Sequence, residues 1–303
     1  MSLNKAFNEE LQQRVADIEA LLQEYLPEEG KAGQLQQTMI QAMNYSMLAG
    51  GKRLRPLLMG EIYRAFGGTE QAIRPFQAAM EMIHTFSLVH DDLPCMDNDR
   101  YRRGKLTTWA VYGEDQATLA GDALSLYAFE TAAKAFSISA HPERVGEAIG
   151  ILAKEAGVYG MCGGQAVDVE LTGHAMSAEQ LQFVYEYKTG ALLKASMEIG
   201  SVLAGASKED QERICQVANA VGMAFQIRDD ILDITSTEEV LGKPIGSDEK
   251  NHKVTYVTLH GLDAAEQKVR ELSEQAISLL PENVQEEQPF LTELIRMLIT
   301  REK

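Results

Sequence analysis

Apolar residues recur every three or four positions along almost the whole 303-residue chain, the repeat of a helix that buries one face. Residues 5–26 carry Leu11, Val15, Ile18, Leu21, Leu22 and Leu26 between polar residues. The same spacing runs through 33–48, 56–66, 70–91, 115–138, 143–160, 177–205, 209–235, 262–280 and 287–301, and no segment sustains strand-type alternation. Punctuation agrees. Pro56 suits a first helical turn, where a missing N–H is harmless, and Ser177 followed by Glu179 and Gln180 reads as a capped helix start. Segments 117–129 and 191–204 are apolar nearly all round, which predicts helices inside a bundle. Gly50-Gly51, Gly67-Gly68 and Gly163-Gly164 read as turns. No Gly/Ser/Pro-rich linker divides the chain. The expectation is a single all-α domain spanning 1–303, with ten or more helices around a central cavity.

Charge narrows the partners. With 28 Lys+Arg against 45 Asp+Glu, the net charge is −17, which argues against a nucleic-acid binder. No apolar run reaches the roughly 20 residues of a membrane span, and the first residues lack an apolar export signal. The three cysteines, Cys95, Cys162 and Cys215, are odd in number and widely spaced, so neither a disulfide framework nor a Cys-based zinc site is expected. A cytoplasmic protein is the simplest expectation.

The chemistry concentrates in two aspartate clusters, each following an apolar helical run. Asp91-Asp92-Leu-Pro-Cys-Met-Asp97-Asn-Asp99 follows FSLVH, and Asp229-Asp230-Ile-Leu-Asp233 follows MAFQI. Grouped carboxylates repel one another unless something neutralises them. Asp229 and Asp233 are about 40° apart on a helix and share a face. Such oxygen-rich faces suit a hard divalent cation, and magnesium fits best when phosphates complete its octahedron. Asp91 and Asp97 would be about 240° apart on an ideal helix. A shared site there requires the helix to end or distort near Pro94. A solvated acidic surface is the alternative for either cluster alone. An EF-hand starting at Asp97 fails, lacking Gly at its sixth and Glu at its twelfth position.

The cations cluster too. Gly50-Gly51-Lys52-Arg53-Leu54-Arg55-Pro56 precedes a helix, and Arg100, Arg102, Arg103 and Lys105 follow the first aspartate cluster. In so acidic a chain these read as phosphate clamps, with salt bridging to the aspartates as the alternative. His84 lies about two turns, roughly 10 Å, before Asp91 on the same helix face. It is placed to meet a second anion, with a purely structural hydrogen-bonding role as the alternative.

Together these residues resemble the trans-prenyl diphosphate synthases, all-α enzymes of the isoprenoid synthase fold that extend isoprenoid chains head to tail. GGKRLRP at 50–56, HDDLPCMD at 90–97, RRG at 102–104, GDAL at 121–124, GGQAVD at 163–168, KTG at 188–190, FQIRDDILD at 225–233 and GKPIGSDEKNHKVTY at 242–256 follow in the family's order. Val254 departs from the Ser that such enzymes often carry before Thr.

The resemblance implies a reaction. An allylic diphosphate ionises, isopentenyl diphosphate attacks through its double bond, and a proton leaves. It implies Mg²⁺, three ions with substrate bound, on Asp91, Asp97 and Asp229, with Asp92, Asp230 and Asp233 holding metal-bound waters or the surrounding shell. Arg102, Lys188 and Lys243 would grip the allylic diphosphate, and Lys52, Arg55, His84 and Arg103 the isopentenyl diphosphate. Thr189 and Gln226 would set oxygens near the cation. A homodimer is also implied, and helix 117–129 would suit its interface. Phe86 and Ser87, five and four residues before Asp91, resemble the chain-length pair of bacterial farnesyl diphosphate synthases and imply a C15 product. On an ideal helix Ser87 is about 40° from Asp91 and Phe86 about 140°, so Phe86 as tunnel floor rests on the resemblance. A geranylgeranyl diphosphate synthase is the alternative. A terpene cyclase or a non-catalytic helical subunit fits less well, because both aspartate clusters are intact.

Overall fold

The apolar periodicity becomes helix along the chain. The computed structural model describes residues 2–31, 33–235, 254–281, 284–285 and 288–300. The helices are α1 (Ser2–Tyr25), α2 (Gln37–Met47), α3 (Leu54–Ala65), α4 (Ile73–Asp91), α5 (Thr108–Tyr112), α6 (Glu114–Ala133), α7 (Pro142–Ala156), α8 (Met161–Leu171), α9 (Ala178–Val184), α10 (Ala191–Ala204) and α11 (Lys208–Thr235). After these come α12 (Tyr256–His260), α13 (Leu262–Leu279) and α14 (Pro289–Thr300). Among the described residues the only strands are β1 (Tyr101–Arg102) and β2 (Lys105–Leu106), an antiparallel pair. The all-α expectation holds.

Two compact units emerge, residues 1–60 with 69–149, and residues 61–68 with 150–303. In the first, α4 packs against α6, α1 and α2. Phe76, Ala79, Met80 and Ile83 of α4 are buried, the spacing of one helix face. Val89, Leu93 and Ala117 form a small core under the first aspartate cluster, with Met96 and Trp109 packed against it. In the second unit α11 packs against α10 and α13. Ile214, Val217, Ala218, Val221 and Ala224 of α11 are buried, and so are Ala265, Val269, Leu272 and Ala276 of α13.

Of the two all-apolar segments, 191–204 behaves as expected. α10 buries nearly every side chain and stops at Gly205, which takes the left-handed conformation (φ 80°) that a helix C-terminus favours. Segment 117–129 does not. Leu119 is 49% and Leu126 73% exposed, so α6 turns an apolar stripe to the surface. The Ser177 cap is present, with Gln180 completing a capping box.

The turn expected at Gly163-Gly164 is instead inside α8, and close packing explains it. A Cβ on Gly164 would stand 2.2 Å from the Lys188 amide nitrogen, and one on Gly163 would stand 2.1 Å from the Val158 carbonyl oxygen. Glycine is there to let backbones touch, not to bend the chain. The stretch 177–205 is likewise interrupted: Tyr185–Gly190 forms a π-helical segment between α9 and α10. Such segments are often found at functional sites.

Candidate active site

In the first unit α4 ends at Asp91. The chain then folds back through Pro94, the Asp97 amide donates to the Asp91 carbonyl (2.9 Å), and the Asn98 amide to that of Leu93 (3.1 Å). Asn98 takes a left-handed φ of 55° to close the turn, which asparagine tolerates well. The helix end required for Asp91 and Asp97 to serve one site is therefore present, and the Asp97 side chain is exposed.

Asp92 faces the other way. It is buried, and its Oδ1 accepts from Arg102 Nε (2.7 Å) and Nη2 (2.6 Å). Burial pushes the Asp92 carboxyl up, while Arg102 opposes the shift. Arg102 also lies 3.6 Å from Asp99. It is carried on β1 of a hairpin whose two turn residues, Arg103 and Gly104, both have positive φ, as a primed two-residue hairpin requires. This hairpin went unnoticed in the apolar pattern. Its signal was the Arg-Gly pair of RRG. Tyr45 on α2 anchors it through the Leu106 carbonyl (2.7 Å).

The hairpin brings Arg103 to the glycine loop, where its guanidinium donates to the Gly50 carbonyl. A Cβ on Gly51 would lie 2.6 Å from Arg103 Nη1. Arg55 Nη1 is 3.3 Å from His84 Nε2. Arginine can only donate, so His84 presents an unprotonated Nε2. Burial, then Arg55 and Arg103, hold His84 well below the usual imidazole range. Burial and Arg103 lower Arg55 to about 10. Buried Arg55 Nε has no hydrogen-bond partner among the described residues. Desolvated cations crowded together are stabilised by a bound anion. Lys52, at the loop's exposed edge, belongs to the same motif. Arg53 is buried, and its guanidinium donates to Glu19, Glu81 and the Met47 carbonyl.

Phe86 and Ser87 occupy the last turns of α4. Phe86 sits edge-on to His90 (5.9 Å between rings). His90 Nε2 is 3.1 Å from the Thr118 carbonyl of α6. It lies over Gly121, where a Cβ would come within 2.2 Å of it. Ser87 Oγ donates to the His84 carbonyl (2.8 Å).

In the second unit the π-helical segment carries Lys188 and Thr189. Lys188 Nζ pairs with Asp168 Oδ2 at 2.5 Å, and Thr189 Oγ1 donates to Gln226 Oε1 at 2.9 Å. Asp168 closes the GGQAVD motif, and only the fold shows that it meets Lys188. α11 runs unbroken past Asp229 to Thr235. Asp233 is buried and Asp229 partly exposed. Asp230, also buried, accepts from the Tyr185 hydroxyl and from the Tyr256 amide (2.8 Å), so it ties α11 to the π-helical segment and to α12. Lys243 lies outside the described residues.

Among the described residues no three Asp, Glu, His or Cys groups converge tightly enough to hold an ion alone. Magnesium characteristically takes one or two carboxylates and fills its octahedron with water and substrate phosphate. The Asp91–Asp97 turn fits that habit. Burial pushes the Cys215 thiol up to about 11, far from a reactive thiolate.

The chain resembles known proteins in sequence and in fold. The polyprenyl synthetase family profile matches residues 36–294. A farnesyl diphosphate synthase from Geobacillus stearothermophilus is 42% identical over 270 residues, 89% of this chain and 88% of that protein. A chloroplastic geranylgeranyl pyrophosphate synthase from Catharanthus roseus is 46% identical over 246 residues, 80% of this chain and 68% of that protein. A Helicobacter pylori geranyltransferase structure, complexed with magnesium and isoprenyl diphosphate, superposes with a TM-score of 0.80 at 32% identity, covering 96% of this chain and 95% of its own. The chain spans about two thirds of the length of such plant relatives. Among the described residues no helix is long and apolar enough to cross a membrane. The chain belongs to the polyprenyl synthetase family, with the all-α fold of the isoprenoid synthases.

Proposed function

We propose that this chain is a magnesium-dependent, cytoplasmic prenyltransferase that condenses isopentenyl diphosphate with dimethylallyl or geranyl diphosphate to give farnesyl diphosphate. It would act as one catalytic domain in a homodimer. The observation that carries the reading is in the first unit. The Asp91–Asp97 turn ends α4, the helix that also carries His84, and Arg55 of α3 and Arg103 of the hairpin reach this helix and the glycine loop of Lys52. Carboxylates able to hold a divalent cation and a group of desolvated cations are what two diphosphates require.

Bound Mg²⁺ on Asp91, Asp97 and Asp229 would supply charge stabilisation to the departing diphosphate. Asp92 holds Arg102 ready for the allylic diphosphate, and Asp168 does the same for Lys188; Lys243 is proposed as the third cation on this group. Lys52, Arg55, Arg103 and His84 bind isopentenyl diphosphate. Thr189 and Gln226 turn oxygens toward the allylic cation without a nucleophile strong enough to capture it. No side-chain base is assigned, and the proton passes to the released pyrophosphate. Asp233 supports Asp229, and Asp230 secures the helix that carries both. The exposed Leu119 and Leu126 on α6 support the homodimer, since a stripe of this kind is stabilised by a partner surface.

Phe86 is proposed to limit the product to C15. The geranylgeranyl relative favours C20 as the second reading. Radiolabelled isopentenyl diphosphate, with each allylic substrate and with or without Mg²⁺, tests both. Incorporation that vanishes with chelator and a product co-eluting with the C15 standard on reverse phase are expected. A C20 product would replace the farnesyl assignment, and no incorporation under any condition would overturn the enzyme.

A further inference from the structure

We infer that Arg53 and Glu81 form a buried strut that positions the isopentenyl diphosphate subsite, an inference that rests on the function proposed above. Arg53 lies between Lys52 and Arg55, yet its side chain is fully buried. Its Nη1 donates to Glu81 Oε1 (2.6 Å), its Nε to Glu19 Oε1 (2.7 Å) and its Nη2 to the Met47 carbonyl (2.6 Å). One guanidinium thus ties the glycine loop to α1, to the end of α2 and to α4. Its backbone is left-handed, with φ 48°, a conformation an arginine adopts only when its surroundings over-determine it.

The strut meets α4 one turn before His84, and the glycine loop holds Lys52 on one side of Arg53 and Arg55 on the other. Moving Glu81 would therefore move the loop relative to His84. Glu81 is itself buried. Its charge raises the pKa of Arg53, Arg55 and Arg103, against the burial that lowers all three. Arg53 and Glu81 are positioning residues, since neither side chain is exposed to substrate.

Two roles for Glu81 predict opposite signs. If it only tempers the positive field, Glu81→Gln leaves the subsite more positive and tightens diphosphate binding. If it anchors Arg53, the same substitution lets the loop drift, and binding weakens by about tenfold or more, the scale on which small misplacements act. The test compares steady-state kinetics of the full chain and of Glu81→Gln, Arg53→Lys and Glu19→Gln, with circular dichroism melts. Expected is a KM for isopentenyl diphosphate raised about tenfold in Glu81→Gln, with kcat and the allylic KM within about threefold of the parent. Arg53→Lys, which keeps the charge but not the fork, should give a smaller rise, and half-exposed Glu19→Gln the smallest. A falling or unchanged isopentenyl KM in a folded Glu81→Gln overturns the strut, as does an equal rise in both KM values. Should Glu81→Gln not fold, an unchanged isopentenyl KM in both Arg53→Lys and Glu19→Gln overturns it. A parent chain that does not condense the two diphosphates refutes the proposed function instead.

Discussion

The Asp97 amide donates a 2.9 Å hydrogen bond to the Asp91 carbonyl, so two carboxylates six residues apart leave the same helix end. On a continuing helix they would diverge. The backbone bond returns Asp97 to the end of the helix that bears Asp91.

Asp91→Ala and Asp97→Ala should each lower condensation roughly 10²–10³-fold, the loss typical of removing one preorganised group that stabilises developing charge. Helicity should be unchanged, because neither side chain belongs to the buried core. Single-turnover rates at saturating Mg²⁺, beside far-UV spectra, check this. Near-normal turnover in both variants would remove the metal assignment.

Asp92→Asn should act through Arg102. The negative charge on the oxygen that accepts from Nε and Nη2 is lost, and a neutral amide oxygen holds the guanidinium less firmly. The KM for the allylic diphosphate should rise about tenfold or more, with little change for isopentenyl diphosphate. An effect confined to kcat would argue that Asp92 serves the metal instead.

Gly164→Ala should be destabilising. Its Cβ would stand 2.2 Å from the Lys188 nitrogen, and backbone cannot yield as a side-chain tip does. A cost of about 1–3 kcal/mol, the range for overpacked sites, should appear in denaturant melts. Activity should fall as well, because the displaced segment carries Lys188 and Thr189. Gly50→Ala offers a contrast, since no atom lies within 4 Å of its added Cβ and only its left-handed φ is strained.

His84 sets a pH dependence. Its folded pKa is well below 6.5, so between that depressed value and 6.5 the unfolded chain binds a proton that the folded chain does not. Stability therefore falls as pH drops below about 6.5 and is unaffected by this group above it. The melting temperature of the unliganded protein, minus that of His84→Gln, should shrink as pH is lowered from 7.5 to 5.5. A constant difference would mean that His84 titrates normally in the fold, and a growing one that it is protonated there.

Phe86→Ala should lengthen the product. Its ring packs against His90, which fills the space over Gly121, so removing it opens volume beside α4 and α6. Products of C20 or longer are expected on reverse phase. An active variant that still stops at C15 would place the floor elsewhere.

The sequence by itself determined the helices and the family. Period and capping need only local information, which is why Ser177 capped its helix as expected and why α4, α10 and α11 run close to their apolar spans. The aspartate, lysine and arginine motifs identify the family by residue type and order. What only the tertiary structure decided were the relationships made by close approach. Gly163 and Gly164 read as a turn, because a glycine that bends the chain and one that admits a neighbouring backbone are the same letter. α6 read as interior, because apolar composition does not say which face finds a partner within its own chain. Arg53 and Arg55 sit two residues apart in one motif, yet one is spent on Glu19, Glu81 and Met47 while the other keeps a buried Nε unbonded. Asp230 goes to Tyr185 and Tyr256, and Asp168 to Lys188, across gaps of 20 residues or more. A charge pattern lists the ions; only the fold decides which of them neutralise one another and which remain for a ligand.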